Sequence, residues 1–200
     1  MAEKEDSPLT DAVWRRLKTG DAQAVDILMR QHYSDLYQYG LKLSHNRSLT
    51  KDCIQDLFVK LWQDREKLSE VSHVKTYLLI SLKRNLIKKL VRENRFSGYE
   101  DEAEESLGIE FSAEDIFILR QELSEQKEML VRALNQLPKR QREAIYLKFY
   151  EELSSEQIAE ILTVKPQSVY NLVYDALKRL KEKLLHTEVL LLIFLSLLSI

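Results

Sequence analysis

The chain has little glycine and proline: 4 and 3 of its 200 residues. So few chain breakers argue against a turn-rich β protein and for long helices. It has one cysteine, Cys53. An intrachain disulfide is therefore excluded, which fits a reducing cytoplasm, the expected location. Cys53 falls on an amphipathic stretch and reads as packing rather than as a nucleophile. There is no Gly-rich phosphate loop. The four histidines, His32, His45, His73 and His186, are scattered, and none pairs with another His, Cys or carboxylate at metal-ligand spacing. The expectation is a chain with no catalytic centre, no metal and no cofactor. The polar, acidic opening residues are no signal peptide.

Charge of one sign is also lacking overall, with a net charge of −2. The average conceals blocks. Residues 83–95 hold six bases, Lys83, Arg84, Lys88, Lys89, Arg92 and Arg95, against one acid, Glu93. Residues 98–128 hold eleven acids against Arg120 and Lys127. A basic block followed by an acidic one implies two surfaces with different partners. Hydrophobic residues make up 44% of the chain, enough for one or two small cores. The end of the chain, 189–200, is an almost unbroken apolar run. As a helix it would span about 18 Å, short of the ~30 Å of a bilayer core. It is expected to bury against a partner, another copy or a membrane surface without spanning the membrane.

The spacing predicts an all-α chain of two small helical domains joined by an acidic flexible linker, the second domain containing a helix-turn-helix. Helices are expected over 10–18, over 22–44 with Asp21 as cap, from a Ser48 or Thr50 cap to 64, and over 71–95. The acidic stretch 97–114, with Gly98, Gly108 and little apolar periodicity, reads as a mobile linker. Helicity resumes near 115 and runs to 136, and Pro138 marks the next start. The domain boundaries are 1–96, a linker at 97–120, 121–185, and the tail at 186–200.

Three stretches suggest function. Ser154 and Gln157 form a capping box. A short helix (155–162), a turn at 163–165 and a longer helix (166–180) then have helix-turn-helix spacing. Ile158, Ala159 and Leu162 would pack on Val169, Leu172, Val173 and Ala176. Gln167, Ser168, Tyr170, Asn171 and Tyr174 would face outward, where such residues read base edges in a major groove. The basic block beside Tyr77 and Phe96 combines phosphate-neutralising charge with rings that stack on unpaired bases. Residues 51–62 set Ile54, Phe58, Leu61 and Trp62 at helical spacing, opposite a face of Asp52, Gln55, Asp56 and Lys60 that suits protein docking.

These stretches, in this order, resemble the sigma-70 family, specifically its small extracytoplasmic-function class. Asp52, Gln55, Asp56, Phe58 and Leu61-Trp62 resemble the family's polymerase-docking helix. Tyr77-Leu78, Asn85 and Arg92 resemble the segment that recognises and melts the minus-ten element. Leu137-Pro138 with Arg142 and Glu143 resembles the start of the minus-thirty-five domain, and Glu156-Gln157-Ile158-Ala159 with Ser168-Val169 its helix-turn-helix. The likeness covers about 20–185. There are departures. The last helix of the family usually carries several bases, where this chain has Tyr170, Leu172, Asp175 and Leu177. Lys89 stands where an acid is common, and the apolar tail lies outside the pattern.

The resemblance implies a non-enzymatic factor that binds core RNA polymerase and promoter DNA. Asp52, Gln55, Asp56, Phe58 and Trp62 would dock on polymerase. Tyr77, Lys83, Arg84, Asn85, Lys88 and Arg92 would hold minus-ten DNA. Arg142, Lys165, Gln167, Ser168, Tyr170, Asn171, Tyr174 and Lys178 would meet the minus-thirty-five duplex. An anti-sigma factor would be a further partner. Two alternatives stay open: a helix-turn-helix regulator that binds duplex DNA without polymerase, and a membrane-associated helical interaction protein suggested by the tail.

Overall fold

A computed structural model describes residues 8–97, 107–115 and 124–184. Among these, every regular element is helical: α1 (Pro8–Lys18), α2 (Ala22–Ser44), α3 (Arg47–Gln63), α4 (Val74–Ser97), α5 (Ser124–Asn135), α6 (Lys139–Phe149), α7 (Ser155–Leu162) and α8 (Pro166–Leu184). Short 3₁₀ turns lie at Arg65–Lys67 and Ala113–Asp115. The chain divides into two compact units between Gly108 and Ile109. The apolar tail at 189–200, on which a docking role was expected, lies outside the described residues, as do the side chains of Arg95 and Phe96.

In the first unit α2 packs on α1, α3 and α4. Its start follows from the local sequence. Gly20 takes a positive φ of 89°, a conformation glycine adopts without steric cost. The Asp21 carboxylate then accepts the Gln23 N–H at 2.9 Å and is paired with the Arg16 guanidinium at 2.7 Å. That pair, together with the cap, holds the Asp21 carboxyl below its ordinary range. The core is formed by Trp14, Leu17, Leu28, Leu36, Tyr39, Leu43, Ile54, Leu78, Leu82 and Leu86, all essentially inaccessible to solvent. Gly40 lets α2, α3 and α4 approach closely, since a Cβ there would lie 2.8 Å from Thr50 Cγ2 and 3.2 Å from Leu82 Cδ2.

The starts of α3 and α4 differ from expectation. The cap of α3 is Asn46, whose Oδ1 accepts the Leu49 N–H at 3.0 Å. Thr50 instead lies one turn inside, buried, donating to the Asn46 carbonyl at 2.8 Å. Helix α4 begins at Val74 rather than 71. The segment before it is held outside the helix, where the Ser69 carbonyl accepts the Trp14 indole N–H at 3.1 Å.

The expected linker is not uniform. Gly108 donates its N–H to the Leu43 carbonyl at 3.1 Å, and its own carbonyl lies 3.0 Å from His45 Nε2; both partners belong to the first unit. Phe111 belongs to the second. Its N–H and carbonyl are both matched by the Asn135 side-chain amide at 2.8 Å, and its ring lies 5.6 Å from that of Tyr150. Buried Leu107, Ile109 and Phe111 are the apolar residues of this otherwise acidic stretch. Residues 98–106 and 116–123 lie outside the described residues.

In the second unit α8 packs on α5, α6 and α7. The Ser154 hydroxyl accepts the Gln157 N–H at 3.2 Å, and the Gln157 side chain accepts the Ser154 N–H at 2.8 Å, the reciprocal capping box read from the sequence. Thr163 ends α7 in the left-handed conformation with φ 55°, and Pro166 opens α8. Ile158, Ala159, Leu162, Val169 and Ala176 are buried, and Leu172 and Val173 half-buried, the packing expected of the helix-turn-helix. Helix α8 runs four residues further than expected, to Leu184, which is buried like Leu180.

Candidate protein and nucleic-acid interfaces

The outer face of α3 presents Asp52, Gln55, Asp56 and Lys60 to solvent. The core-facing side of the same helix buries Cys53, Ile54, Leu57 and Leu61. Phe58 was expected among the docking residues, but only 4% of it is exposed. It is core first, because the helical repeat that exposes Gln55 and Asp56 turns position 58 inward. Trp62 is half-buried. The Arg65 guanidinium sits over its ring, 4.5 Å from the centroid, and donates to the Trp62 carbonyl at 2.9 Å.

An open apolar hollow of about 310 Å³ runs along this face, lined by Val25, Met29, Gln55, Phe58, Val59, Trp62 and Gln63. Val25 and Met29 are core positions by periodicity, yet both are only half-buried. Val59 leaves 49% of its surface exposed. These three residues extend the candidate docking surface beyond the residues predicted for it. The signal in the sequence was Val59, a large apolar residue on an otherwise polar helix face.

Helix α4 carries Arg84, Lys88 and Arg92 as one exposed stripe at steps of four residues. Lys83 and Asn85 are half-buried beside it. Tyr77 is half-buried too, its ring 5.2 Å from that of Trp14 in an edge-on arrangement. The predicted stacking ring is thus already engaged on one side by α1. Lys89, on the flank toward α3, pairs with Asp56 at 2.7 Å. Partial burial disfavours its charge. The hydrogen bond to Asp56 and the negative charge of Asp56 and Asp52 outweigh that, so its pKa stands above the ordinary lysine value.

Lys165, just before α8, is exposed, as are Gln167, Tyr170, Asn171, Tyr174 and Lys178 within it, and Ser168 is half-buried. They lie opposite buried Val169, Ala176 and Leu180. Tyr170 and Tyr174 are 57% and 68% exposed. Arg142, on α6, is half-buried and already engaged. Its Nη1 donates to the Asn135 carbonyl at 3.1 Å, and its Nε is buried without a hydrogen-bond partner. The last carbonyls of a helix lack intrahelical donors. Arg142 serves the end of α5 in that way, a role that no local residue pattern marks. No group of His, Cys, Asp or Glu suited to hold a metal occurs among the described residues.

Comparison with known proteins agrees with this division. The family model for sigma-70 region 2 matches residues 28–96, within the first unit. The model for sigma-70 region 4 matches residues 127–180, within the second. Together they cover more than half of the chain. The ECF RNA polymerase sigma factor SigL of Mycobacterium tuberculosis is 25% identical over 167 residues, 82% of this chain and 92% of that protein. The RNA polymerase sigma factor YlaC of Bacillus subtilis is 25% identical over 80% of this chain and 92% of its own length. Among solved structures, CnrH in complex with the cytosolic domain of CnrY has a TM-score of 0.58 at 16% identity, covering 88% of this chain and 96% of that one. The sigma factor RpoE, in complex with the anti-sigma factor NepR from Bartonella quintana, has 0.54 at 24%, covering 82% and 98%. These two likenesses concern the fold. With region 2 in its first unit and region 4 in its second, the chain belongs to the sigma-70 family.

Proposed function

We propose that this chain is a promoter-specificity subunit that binds core RNA polymerase, recognises the minus-thirty-five and minus-ten elements and helps open the duplex, without catalysing a reaction itself. The observation that carries this reading is the presence of regions 2 and 4, in order, on two separate units with chemically different surfaces. Residues 1–96 serve polymerase and the minus-ten element, and 121–185 the upstream duplex.

The exposed Asp52, Gln55 and Asp56, beside the hollow at Val59 and Trp62, meet a polymerase helix with both polar and apolar groups. The stripe Arg84, Lys88 and Arg92 neutralises the phosphates of the separated strand. Tyr77, Lys83 and Asn85 line its approach. Lys165, Gln167, Ser168, Tyr170, Asn171, Tyr174 and Lys178 face the upstream duplex; Arg142 holds the end of α5. No cofactor of its own is required. The reading places the chain in the cytoplasm with the polymerase. An anti-sigma factor, like the NepR bound to the RpoE neighbour, is a suitable regulator.

The deciding experiment incubates the purified chain with core polymerase, follows co-migration, and then tests transcription from a promoter library. The expected result is a stable complex that initiates at discrete sites. A chain that binds duplex DNA but not core polymerase would instead be a helix-turn-helix regulator.

A further inference from the structure

The exposed face of α8 has an unusual chemistry for a DNA-reading helix. Its centre line is Gln167, Asn171, Tyr174 and Lys178, spaced four, three and four residues apart. Opposite it lie buried Val169, Ala176 and Leu180. Tyr170 flanks the line on one side and exposed Asp175 on the other. The end of a recognition helix that enters the groove is its N-terminal end. There the face is neutral.

Guanine is read mainly by Arg or Lys bonding O6 and N7 together. The first base on this line is Lys178, about 16 Å along the axis from Gln167, beyond the turns that enter the groove. Lys165 precedes the helix, and a point charge there is satisfied equally by a phosphate. Gln167 and Asn171 carry amides, which match the N6 donor and N7 acceptor of adenine. They lie one turn apart, with Gln167 Nε2 3.5 Å from Asn171 Oδ1, so the pair is already oriented along the helix. Tyr170 and Tyr174 present apolar ring faces, the chemistry that matches the thymine methyl group.

We infer that α8 selects a run of A·T pairs in the upstream element, with Gln167 and Asn171 reading adenine and Tyr170 and Tyr174 packing on thymine methyl groups. This rests on the proposed promoter-binding role and adds its base preference. Two amides and two rings, one turn apart in each pair, suit neighbouring base pairs rather than isolated ones.

The test uses the full chain assembled with core polymerase. Promoters with a randomised upstream duplex and a constant minus-ten element are selected for binding. The expected outcome is enrichment of A·T at adjacent upstream positions. Thymine in the selected element is then replaced by uracil, which removes only the methyl group. Wild-type affinity should fall about fourfold for each contacted methyl lost. Tyr170→Ala and Tyr174→Ala should abolish that sensitivity, whereas Tyr174→Phe, which keeps the ring, should retain it. All these side chains are exposed, so folding is not at stake, and circular dichroism verifies it. Enrichment of G·C by an intact complex, or a wild-type complex indifferent to uracil, overturns the base preference and leaves the promoter-binding role standing. Failure to bind core polymerase overturns both.

Discussion

Lys89 Nζ lies 2.7 Å from Asp56 Oδ2, tying the basic helix α4 to the acidic face of α3. Asp56 is a proposed polymerase contact, so this bridge fixes the position of a carboxylate that a partner would use. Both side chains keep part of their surface in solvent, 33% for Lys89 and 60% for Asp56. A partly exposed pair contributes little, about 0–1 kcal/mol. A double-mutant cycle of Lys89→Met and Asp56→Asn in denaturant unfolding should give a coupling energy in that range.

The bridge also has a pH signature. The folded-state pKa of Lys89 is raised, so its contribution is fully present below the unfolded lysine value. It is lost as pH rises through the folded one. Stability should therefore decline in the alkaline range above ordinary lysine titration, and Lys89→Met should lack that part of the decline. An identical alkaline profile in the variant would show that the pair contributes nothing.

Helix α4 should act in strand separation more than in polymerase binding. Replacing exposed Lys88 and Arg92 with Ala removes two phosphate partners. The slope of log affinity for single-stranded promoter DNA against log salt should fall by roughly 1.4. Permanganate-reactive thymines at the start site should diminish while the complex with core polymerase persists. Unchanged open-complex yield would reduce this stripe to solvated surface.

Gly40→Ala should destabilise the first unit, although alanine is normally the better helix former by about 1 kcal/mol. The new methyl group would meet Thr50 Cγ2 at 2.8 Å. Thr50 is fully buried, and its hydroxyl is held by the Asn46 carbonyl, so it cannot rotate away without losing that bond. Overpacking of this kind costs about 1–3 kcal/mol. Chemical denaturation that showed stabilisation would mean the helices separate easily at this point.

Thr163→Gly should stabilise the second unit. A β-branched residue at φ 55° is strained, and glycine removes the clash between Cβ and the backbone. The larger entropy of unfolded glycine offsets part of the gain, leaving up to about 1 kcal/mol. Ser154→Ala should act in the opposite direction by about 1 kcal/mol, through loss of the capping box. Thermal unfolding of the two variants should displace the transition in opposite senses.

Much was legible in the sequence because it depends on near neighbours. The order of the helices follows from apolar repeats and from Asp21, Pro138, Ser154 and Pro166, each acting within a few residues of itself. The exposed line Gln167, Asn171, Tyr174 and Lys178 follows from the period of one helix once its buried side is known. The three candidate segments could be singled out because each is a single helix with its own residue pattern. Their assignment to two units is matched by the regions of one family.

What tertiary structure alone decided is where side chains go when a partner distant in sequence competes for them. Thr50 lost the cap to Asn46 because packing against Gly40 turned it inward. Val25, Met29 and Val59 were left to line a hollow beside Phe58. Arg142 was recruited to the end of α5, and Lys89 was paired with Asp56. Part of the acidic connector was held by Leu43, His45 and Asn135. Periodicity specifies which side of a helix faces inward. Which group a buried atom meets depends on helices that approach only after the chain has folded.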